Sequence, residues 1–359
     1  MKKLLKYSVI VLTIIITGIY FTSQHMKLSN SLYSEEAITV MKNMNVVNAI
    51  NKTEYSKTIE AMLLSGDFKE QHVDAYFKID YTDNPNFVKS LNFFIEQKYS
   101  PEVINYIYTL SGDNLELVMN SDFLDLDDFI PINNLEIANI ERYHTYKDET
   151  NLDLQTSVTR VNLNLDIPFY SDVNIVENPA SYQVLINKYN RLPNGYIPNN
   201  LIDLNGYPNQ KLESEAATNF LLMIKDAKLA GHDIEPFSTY RSEVYQETLY
   251  SKYVESDGVD LADTYSARPG HSEHQTGLAV DIRSVGEISS LNDKDILWVI
   301  ENAHKYGFIL RYLEETSFIT GYTYEPWHLR YVQKDIALDI INKKITFDEY
   351  FDLYLKNTI

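Results

Sequence analysis

Residues 267–282 form the stretch ARPGHSEHQTGLAVDI, whose last six residues have the pattern of a half-buried strand. Apolar side chains alternate there with small ones, so Leu278, Val280 and Ile282 are expected to face a core. The opposite face carries only glycine, alanine and the carboxylate of Asp281. Such a cleared face leaves room for an ion and a substrate above the carboxylate.

Histidines suggest what this carboxylate does. His271 and His274 lie in the turn-rich entry to the strand, in a chain with only 8 His and no Cys. Without thiolates, a metal would be held by His, Asp or Glu. A third histidine, His328, follows Pro326 in EPWH, where a regular helix cannot continue, and it begins a second predicted strand. Two histidines and one carboxylate are an established ligand set for catalytic zinc, but the spacing does not decide between His271 and His274.

A candidate base lies near the third histidine. Glu325 precedes His328 by three residues, within reach of a water on the same metal if the segment turns. Zinc lowers the pKa of bound water to about 7, and a neighbouring carboxylate can then accept its proton. The helical HExxH signature is absent from the sequence, so the site would be assembled from two separated segments.

Three segments are similar to those of a known family. SEHQTGLAVD (272–281) resembles the S-x-H-x-x-G-x-A-x-D pattern of the VanY-type D-alanyl-D-alanine carboxypeptidases, and EPWHLRYV (325–332) resembles their E-x-x-H segment. FSTYRSEVYQ (237–246) resembles a third pattern, S-G-Y-R-S-x-x-x-Q, except that Thr239 stands where glycine is usual. The resemblance covers about residues 182–332, with the motifs in the same order.

This resemblance implies a zinc carboxypeptidase that trims peptidoglycan stem peptides, with a small α+β zinc-peptidase fold and a central antiparallel sheet. The implied zinc ligands are His274, Asp281 and His328. Glu325 would be the catalytic base, and Arg241 would polarise the scissile carbonyl or stabilise the developing oxyanion. The implied substrate contacts are Tyr240, Gln246 and Ser272.

Two alternatives stay open. The enzyme could cut the L,D bond of a tetrapeptide stem instead of the D,D bond of a pentapeptide. The chain could also be a cell-wall-binding protein with a structural or silent zinc site. A serine mechanism is not expected, because neither G-x-S-x-G nor S-x-x-K surrounds Ser272.

Net charge excludes one class of partner. The sequence carries 31 Lys and Arg against 51 Asp and Glu, which gives a formal net charge of −20. A field of that sign repels a phosphate backbone, so nucleic acid is not an expected partner.

The N-terminus, residues 1–25, predicts a membrane anchor. Lys2, Lys3 and Lys6 precede an apolar run over residues 7–21. Lysines beside such a run stay on the cytoplasmic side, so the rest of the chain is expected outside. The run is a little short of the roughly 20 residues that span a bilayer, but it lacks the small-residue cleavage site of a secretory signal. We expect an uncleaved single-pass anchor in the cell membrane with an extracellular catalytic domain, the alternative being a secreted protein.

Residues 26–156 are predicted to form a mostly helical spacer or docking region. The clearest helix start is Ser100-Pro101-Glu102, an N-cap followed by proline at the first helical position and an acid in the first turn. Two other segments resemble the one that follows, but too loosely to predict a repeat array.

Residues 157–359 are predicted to form the zinc carboxypeptidase domain, in which strands and helices are interleaved without a glycine-rich phosphate loop. Alternating apolar residues predict a strand over Val158–Tyr170. Helices are expected over Glu213–Leu229 and Asp293–Tyr306, each closed by a glycine. A capping box at Thr346–Glu349 predicts the start of the last helix.

Overall fold

A computed structural model describes residues 32–50, 55–110, 112–120, 126–132, 134–288 and 290–356. The chain divides into two compact units, the first ending at Ala138 and the second beginning at Asn139. The predicted anchor over residues 1–25 lies outside the described residues. Within the described ranges, no helix is both long and apolar enough to cross a membrane.

The first unit is built from short helices. They are α1 (Glu35–Met44), α2 (Val47–Ile50), α3 (Lys57–Ser65), α4 (Val73–Tyr76), α5 (Phe87–Glu96), α6 (Pro101–Ile107), α7 (Gly112–Asn120) and α8 (Leu126–Phe129). Helix α6 begins as predicted, since the Ser100 side chain accepts the Val103 N–H and proline occupies the first turn. The predicted helical character of this region is confirmed.

From α3 to α8, longer helices alternate with shorter ones. Side-chain amides join neighbouring segments: Asn92 on α5 donates to the carbonyl of Asp67 at 2.7 Å, and Asn105 on α6 accepts the Asp80 N–H at 2.9 Å. Contacts between successive helical pairs are typical of stacked repeats. Sequence similarity among these segments is too weak to show the alternation.

The second unit opens with a helical hairpin where the sequence predicts a strand. Helices α9 (Ile140–Thr150) and α10 (Leu154–Asn162) pack against each other, so the predicted strand over Val158–Tyr170 is wrong. Asp153 accounts for the difference, because its carboxylate accepts a backbone N–H of the first turn of α10 at 2.9 Å. This N-cap competes with the strand that the alternating residues favour.

A four-stranded antiparallel sheet follows, in the order β5-β6-β8-β7. Its strands are β5 (Ile234–Ser238), β6 (Ala279–Ser284), β7 (Phe308–Leu310) and β8 (His328–Tyr331). Two small ladders precede it, formed by β1 (Asn174–Ile175), β2 (Asn190–Arg191), β3 (Leu201–Asp203) and β4 (Lys211–Glu213). The α+β class and the central antiparallel sheet are confirmed.

One face of the sheet packs against two helices, α11 (Ser214–Leu229) and α14 (Asp293–Asn302). Leu278, Val280 and Ile282 are buried in this core together with apolar residues of both helices, as their alternation predicts. Both helices lie where the sequence places them. The second continues as a 3-10 helix and ends at a glycine in the left-handed region. The other helices of this part of the unit are α12 (Glu243–Asp257), α13 (Val259–Ala262) and α15 (Ser317–Thr320).

C-terminal helices cover part of the other face. Helix α16 (Lys334–Lys343) is followed by α17 (Phe347–Tyr350), which opens with the predicted capping box between Thr346 and Glu349. Phe347 is buried in a second core with Ile309 and other apolar residues. The side of the sheet opposite α11 and α14 is therefore partly covered by residues near the C-terminus.

Candidate metal centre and cleft

Asp281 and His328 meet through strand pairing. They are register partners on β6 and β8, so their side chains share the face opposite the α11 and α14 core. Nδ1 of His328 lies 3.1 Å from Oδ1 of Asp281. The sheet thus joins the two sequence motifs.

His274 reaches the same place from a turn. It lies in the 3-10 helix Glu273–Thr276, which ends at Gly277 with a φ of +71°. Its Nδ1 is 2.7 Å from the carbonyl oxygen of Thr239, so this nitrogen donates and Nε2 faces Asp281, whose Oδ2 is 3.2 Å away. A backbone hydrogen bond of this kind orients a histidine as a metal ligand.

The three predicted ligands form a group that fits a metal ion. One ligand atom from each of His274, Asp281 and His328 lies within 4.8 Å of the others. Nε2 of His274 and Oδ1 of Asp281 are buried, and neither makes a hydrogen bond of good geometry to any described residue. Buried polar atoms are costly unless a ligand satisfies them. This donor set fits zinc with one position left for water.

His271, the other histidine of the motif, lies outside this group. Its Nδ1 is 2.8 Å from the carbonyl oxygen of Asn187, and its ring packs edge-on against Tyr170. Burial lowers the pKa of His271, which favours a neutral ring that satisfies a backbone carbonyl.

Glu325 lies beside the candidate ligands, as its spacing from His328 predicts. Its Oε2 is 3.8 Å from Nδ1 of His328, and the residue is 8% exposed. Burial raises the pKa of Glu325 to about 7, with the charge of Asp281 adding to the rise and those of His328 and Arg241 opposing it. A carboxylate with a pKa near neutrality can both accept and return a proton.

Arg241 approaches the group from the end of β5. Its Nη2 is 3.7 Å from Oδ2 of Asp281, and its backbone N–H donates to the carbonyl of His274 at 3.3 Å. Its buried Nε makes no hydrogen bond to any residue in the described ranges. The guanidinium therefore retains donor capacity toward an oxyanion.

Thr239 explains how this segment tolerates a side chain where the resemblance expects glycine. The residue is buried, and its hydroxyl accepts the Lys211 N–H and donates to Gln210, both at 2.8 Å. These bonds tie the end of β5 to β4. They also fix the carbonyl that orients His274.

The three candidate ligands, Glu325, Arg241 and Thr239 line one cleft of about 1150 Å³, together with the three predicted substrate contacts, Tyr240, Gln246 and Ser272. Gln246 lies on α12 (Glu243–Asp257) and is 1% exposed. Its Nε2 donates to the Ala267 carbonyl at 2.8 Å, whereas its Oε1 makes no hydrogen bond within the described chain. That oxygen is available to a donor on a ligand.

Sequence reasoning missed one wall of the cleft. Tyr245, Leu249 and Tyr253 are spaced four residues apart on α12 and line it together, because residues at i and i+4 share a helix face. The spacing was visible in the sequence. It did not indicate a cleft wall, because the direction in which that helix face points depends on the tertiary packing.

Glu273 is a second missed residue. It is 2% exposed, and its Oε2 lies 3.2 Å from Nε2 of His328. Burial tends to raise the pKa of Glu273, but Arg311 and Arg330 outweigh burial and hold it below its usual range. Burial likewise tends to lower the pKa of His328, yet the adjacent carboxylates of Asp281 and Glu273 raise it to about 9. An ionised carboxylate thus lies behind the ligand.

A family model matches this part of the chain. Residues 209–334 match the model described as VanY: D-alanyl-D-alanine carboxypeptidase, and the match contains every predicted site residue. The Putative carboxypeptidase YodJ of Bacillus subtilis (strain 168) is 38% identical over 199 residues, covering 52% of this chain and 73% of that protein. A D-alanyl-D-alanine carboxypeptidase of Enterococcus faecium is 36% identical over 187 residues, covering 50% of this chain and 54% of the relative.

Solved structures also match. The structure of the LdcB LD-carboxypeptidase, described as revealing the molecular basis of peptidoglycan recognition, is 37% identical and covers 51% of this chain and 91% of its own, with a TM-score of 0.48. A mutant of the vancomycin resistance D,D-pentapeptidase VanY in complex with Zn(II) is 30% identical, covering 47% of this chain and 98% of its own, with a TM-score of 0.43.

Proposed function

This chain belongs to the VanY D-alanyl-D-alanine carboxypeptidase family of metallo-carboxypeptidases, and we propose that it removes the terminal D-alanine from peptidoglycan stem peptides with the help of zinc. The observation that carries the proposal is the convergence of three candidate ligands and Glu325 on one cleft. This is the set of groups that metal-assisted peptide hydrolysis requires.

The residues around the candidate ligands have separate roles in this proposal. Held by the three ligands, zinc would supply Lewis-acid chemistry at the scissile carbonyl and its attacking water. Glu325 accepts the proton of that water and returns it to the departing amine. Arg241 donates to the developing oxyanion. Gln246 accepts a hydrogen bond from the substrate through Oε1, while Tyr240 and Ser272 contact the peptide.

The bond that is cut distinguishes two versions of this reaction. The relatives include a D-alanyl-D-alanine carboxypeptidase at 36% identity and an LD-carboxypeptidase at 37% identity. We take the D,D bond of a pentapeptide stem as the proposed substrate. The L,D bond of a tetrapeptide stem is the alternative.

Mass spectrometry of peptide products tests the proposal. The full-length protein is incubated with synthetic stem pentapeptide and tetrapeptide, with and without a chelator. Loss of one alanine from the pentapeptide, abolished by chelation and restored by zinc, is the expected result. Shortening of the tetrapeptide alone would move the assignment to the L,D bond. If neither peptide shortens while one zinc is bound, a non-catalytic wall-binding protein becomes the better account.

We further propose that the chain is anchored in the cell membrane with its second unit outside. Support comes from Lys2, Lys3 and Lys6 ahead of the apolar run over residues 7–21, and from a substrate that lies in the cell wall. Protease added to intact protoplasts should digest the second unit. Without protease, the protein should remain with the membranes on fractionation. Protection from protease would overturn the orientation, and recovery in the medium would indicate a cleaved signal.

A further inference from the structure

The contact behind His328 continues toward the C-terminal helices. One oxygen of Glu273 lies 3.2 Å from Nε2 of His328, and the other accepts from Nε of Arg311 at 2.8 Å. Nη1 of Arg311 donates in turn to Oδ2 of Asp348 at 2.6 Å. We name Glu273, Arg311 and Asp348 the buried ion-pair network. Asp348 lies in α17, beyond residue 334, where the family match ends.

Solvent has almost no access to the buried ion-pair network. Glu273, Arg311 and Asp348 are 2%, 1% and 1% exposed. Arg330 is also buried, and its Nη1 lies 3.2 Å from the same oxygen of Glu273 that Arg311 contacts. Two carboxylates therefore face two guanidinium groups. Removing either carboxylate leaves an uncompensated positive charge in a place where water cannot screen it.

Asp348 is held in place independently of Arg311. Its other oxygen accepts from Nδ2 of Asn187 at 2.9 Å. The capping box of Thr346 and Glu349 fixes the backbone on either side, and Phe347 is anchored in the second core. The aspartate can therefore act as a fixed point for the guanidinium.

We propose that Asp348 is a positioning residue for the metal centre. Through Arg311 it holds Glu273 against His328, so that the proton of the neutral ring stays on Nε2 and Nδ1 is presented to the metal ion. Carboxylates that accept from the second nitrogen of a ligating histidine fix its tautomer and orientation. The inference rests on the zinc site of the proposed function, and not on which peptide bond is cut.

Zinc affinity of Asp348→Asn tests this role in the full-length protein. Without the second carboxylate, Arg311 is balanced by Glu273 alone and draws it away from His328. Competition with a chromogenic chelator should show zinc affinity about 10-fold weaker, at the low end of the range for groups behind a ligand. In the zinc-loaded protein, ¹H–¹⁵N spectra should show the His328 Nε2–H resonance shifted upfield, because its hydrogen bond to Glu273 is weakened.

Asp352→Asn is the matched control. Asp352 lies in the same C-terminal segment, is 3% exposed and accepts from Asn162 at 3.3 Å. This variant should lower the unfolding temperature without changing zinc affinity or the His328 Nε2–H resonance. A loss of affinity as large as that of Asp348→Asn would reduce the effect to general stability and overturn the proposal.

Arg311→Lys serves as the second variant and decides the matter if Asp348→Asn does not fold. It keeps the buried positive charge but cannot reach two carboxylates through a planar fork, so zinc affinity should again fall. Wild-type affinity in the folded variants would overturn the proposal. A wild type that binds no zinc would overturn both the inference and the proposed function. A wild type that binds zinc and cuts neither peptide would remove only the reaction.

Discussion

Two buried histidines, one in each unit, differ in how their ring nitrogens are satisfied. His72 in the helical unit has Nδ1 2.9 Å from Oδ1 of Asn92 and Nε2 4.0 Å from a carboxylate oxygen of Glu96. His274 in the second unit has Nδ1 bonded to a carbonyl, but its buried Nε2 makes no hydrogen bond to the described residues.

Burial alone therefore does not identify a ligand, and neither does an unpaired nitrogen, since the buried Nδ1 of His304 also lacks a hydrogen bond to the described residues. The distinguishing feature is what Nε2 faces. That of His274 lies 3.2 Å from Asp281, a carboxylate that His328 also contacts, whereas that of His72 lies 4.0 Å from one exposed carboxylate.

The same contrast holds for other polar groups. In the helical unit, the buried hydroxyls of Thr58 and Ser90 each donate to a backbone carbonyl at 2.7 Å; the Thr58 bond joins α3 to Ile79, and the Ser90 bond lies within its own helical segment. In the cleft of the second unit, unsatisfied buried atoms of Arg241, Gln246 and Asp281 accompany that of His274. Unsatisfied buried atoms also occur outside the cleft, on Arg191, Gln275 and His304 for example, so it is the convergence of four of them on one cleft that indicates a ligand site. In the helical unit these polar groups are hydrogen-bonded to other protein groups, whereas in the cleft several of them remain available to a ligand.

Glu325→Gln should have the largest effect. The amide keeps the size of the side chain but cannot accept a proton, so kcat on the stem peptide should fall about 10²- to 10⁴-fold. Zinc content should stay the same, because Glu325 is not one of the three candidate ligands. Peptide turnover and metal analysis give both values, with the exposed Glu301→Gln on α14 as a control. Activity retained in Glu325→Gln would mean that another group accepts the proton.

Replacing each buried histidine by alanine sharpens the comparison directly. His274→Ala should lose bound zinc and activity, and in chelator it should also lose about 1–3 kcal/mol of unfolding free energy, because the Thr239 carbonyl loses its donor. His72→Ala should keep zinc but lose about 1–3 kcal/mol of unfolding free energy, because the buried ring and its hydrogen bond to Asn92 are lost. Metal analysis and urea unfolding measure the two outcomes. Loss of zinc in both variants would break the distinction between the units.

The turn that presents His274 depends on Gly277, which gives the third prediction. A Cβ there would lie 2.7 Å from Cδ2 of Leu201 and 3.2 Å from the backbone nitrogen of Glu213, at a φ of +71°. Gly277→Ala should cost about 1–3 kcal/mol of unfolding free energy and weaken zinc binding as the turn shifts. Gly286→Ala is the control, since its φ is also positive but an added Cβ meets no described atom within 4 Å. Equal losses of zinc affinity would rule out the steric cause.

The sequence was informative about the site wherever the chemistry follows from local pattern. Alternation in β6 turns Asp281 away from the core, and the spacing places His271 and His274 in the turn before that strand, where the family resemblance selects His274. The buried ion-pair network could not be predicted, because Glu273, Arg311 and Asp348 come together only through the strand order and the docking of α17. No local spacing encodes such a contact.

The one wrong element, the strand over Val158–Tyr170, shows the limit of periodicity. Val158 and Val161 are both buried on α10, and their spacing of three residues places them on one face of a helix but on opposite faces of a strand. The deciding residue, Asp153, precedes the predicted segment. Alternation over a few residues is therefore a weaker signal than a cap.

Lys188 gives the smallest predicted effect, and it separates burial from function within the second unit. It is 1% exposed, and its Nζ donates to the Asp263 carbonyl at 2.5 Å and lies 4.1 Å from the centre of the Tyr322 ring. Burial lowers the pKa of Lys188 to about 8, whereas an unfolded lysine titrates near 10.4. The unfolded chain therefore binds more protons above pH 8. The unfolding free energy should then rise by about 1 kcal/mol between pH 8 and 9.

Urea unfolding across this pH range compares the wild type with Lys188→Met, which should lose the rise, and with Lys211→Met, an exposed lysine that should keep it. A wild type without the rise would mean that the carbonyl and the ring satisfy the ammonium as well as water does. Lys188 would then belong with His72, as a polar group fully used by the fold. A rise that disappears in Lys188→Met would show that even a hydrogen-bonded buried charge retains a cost in this unit. Buried polar atoms of this unit would then differ in how fully their hydrogen-bonding capacity is met, and the unpaired atoms of the cleft would be the extreme case. The convergence of several such atoms, more than their burial, would mark the site.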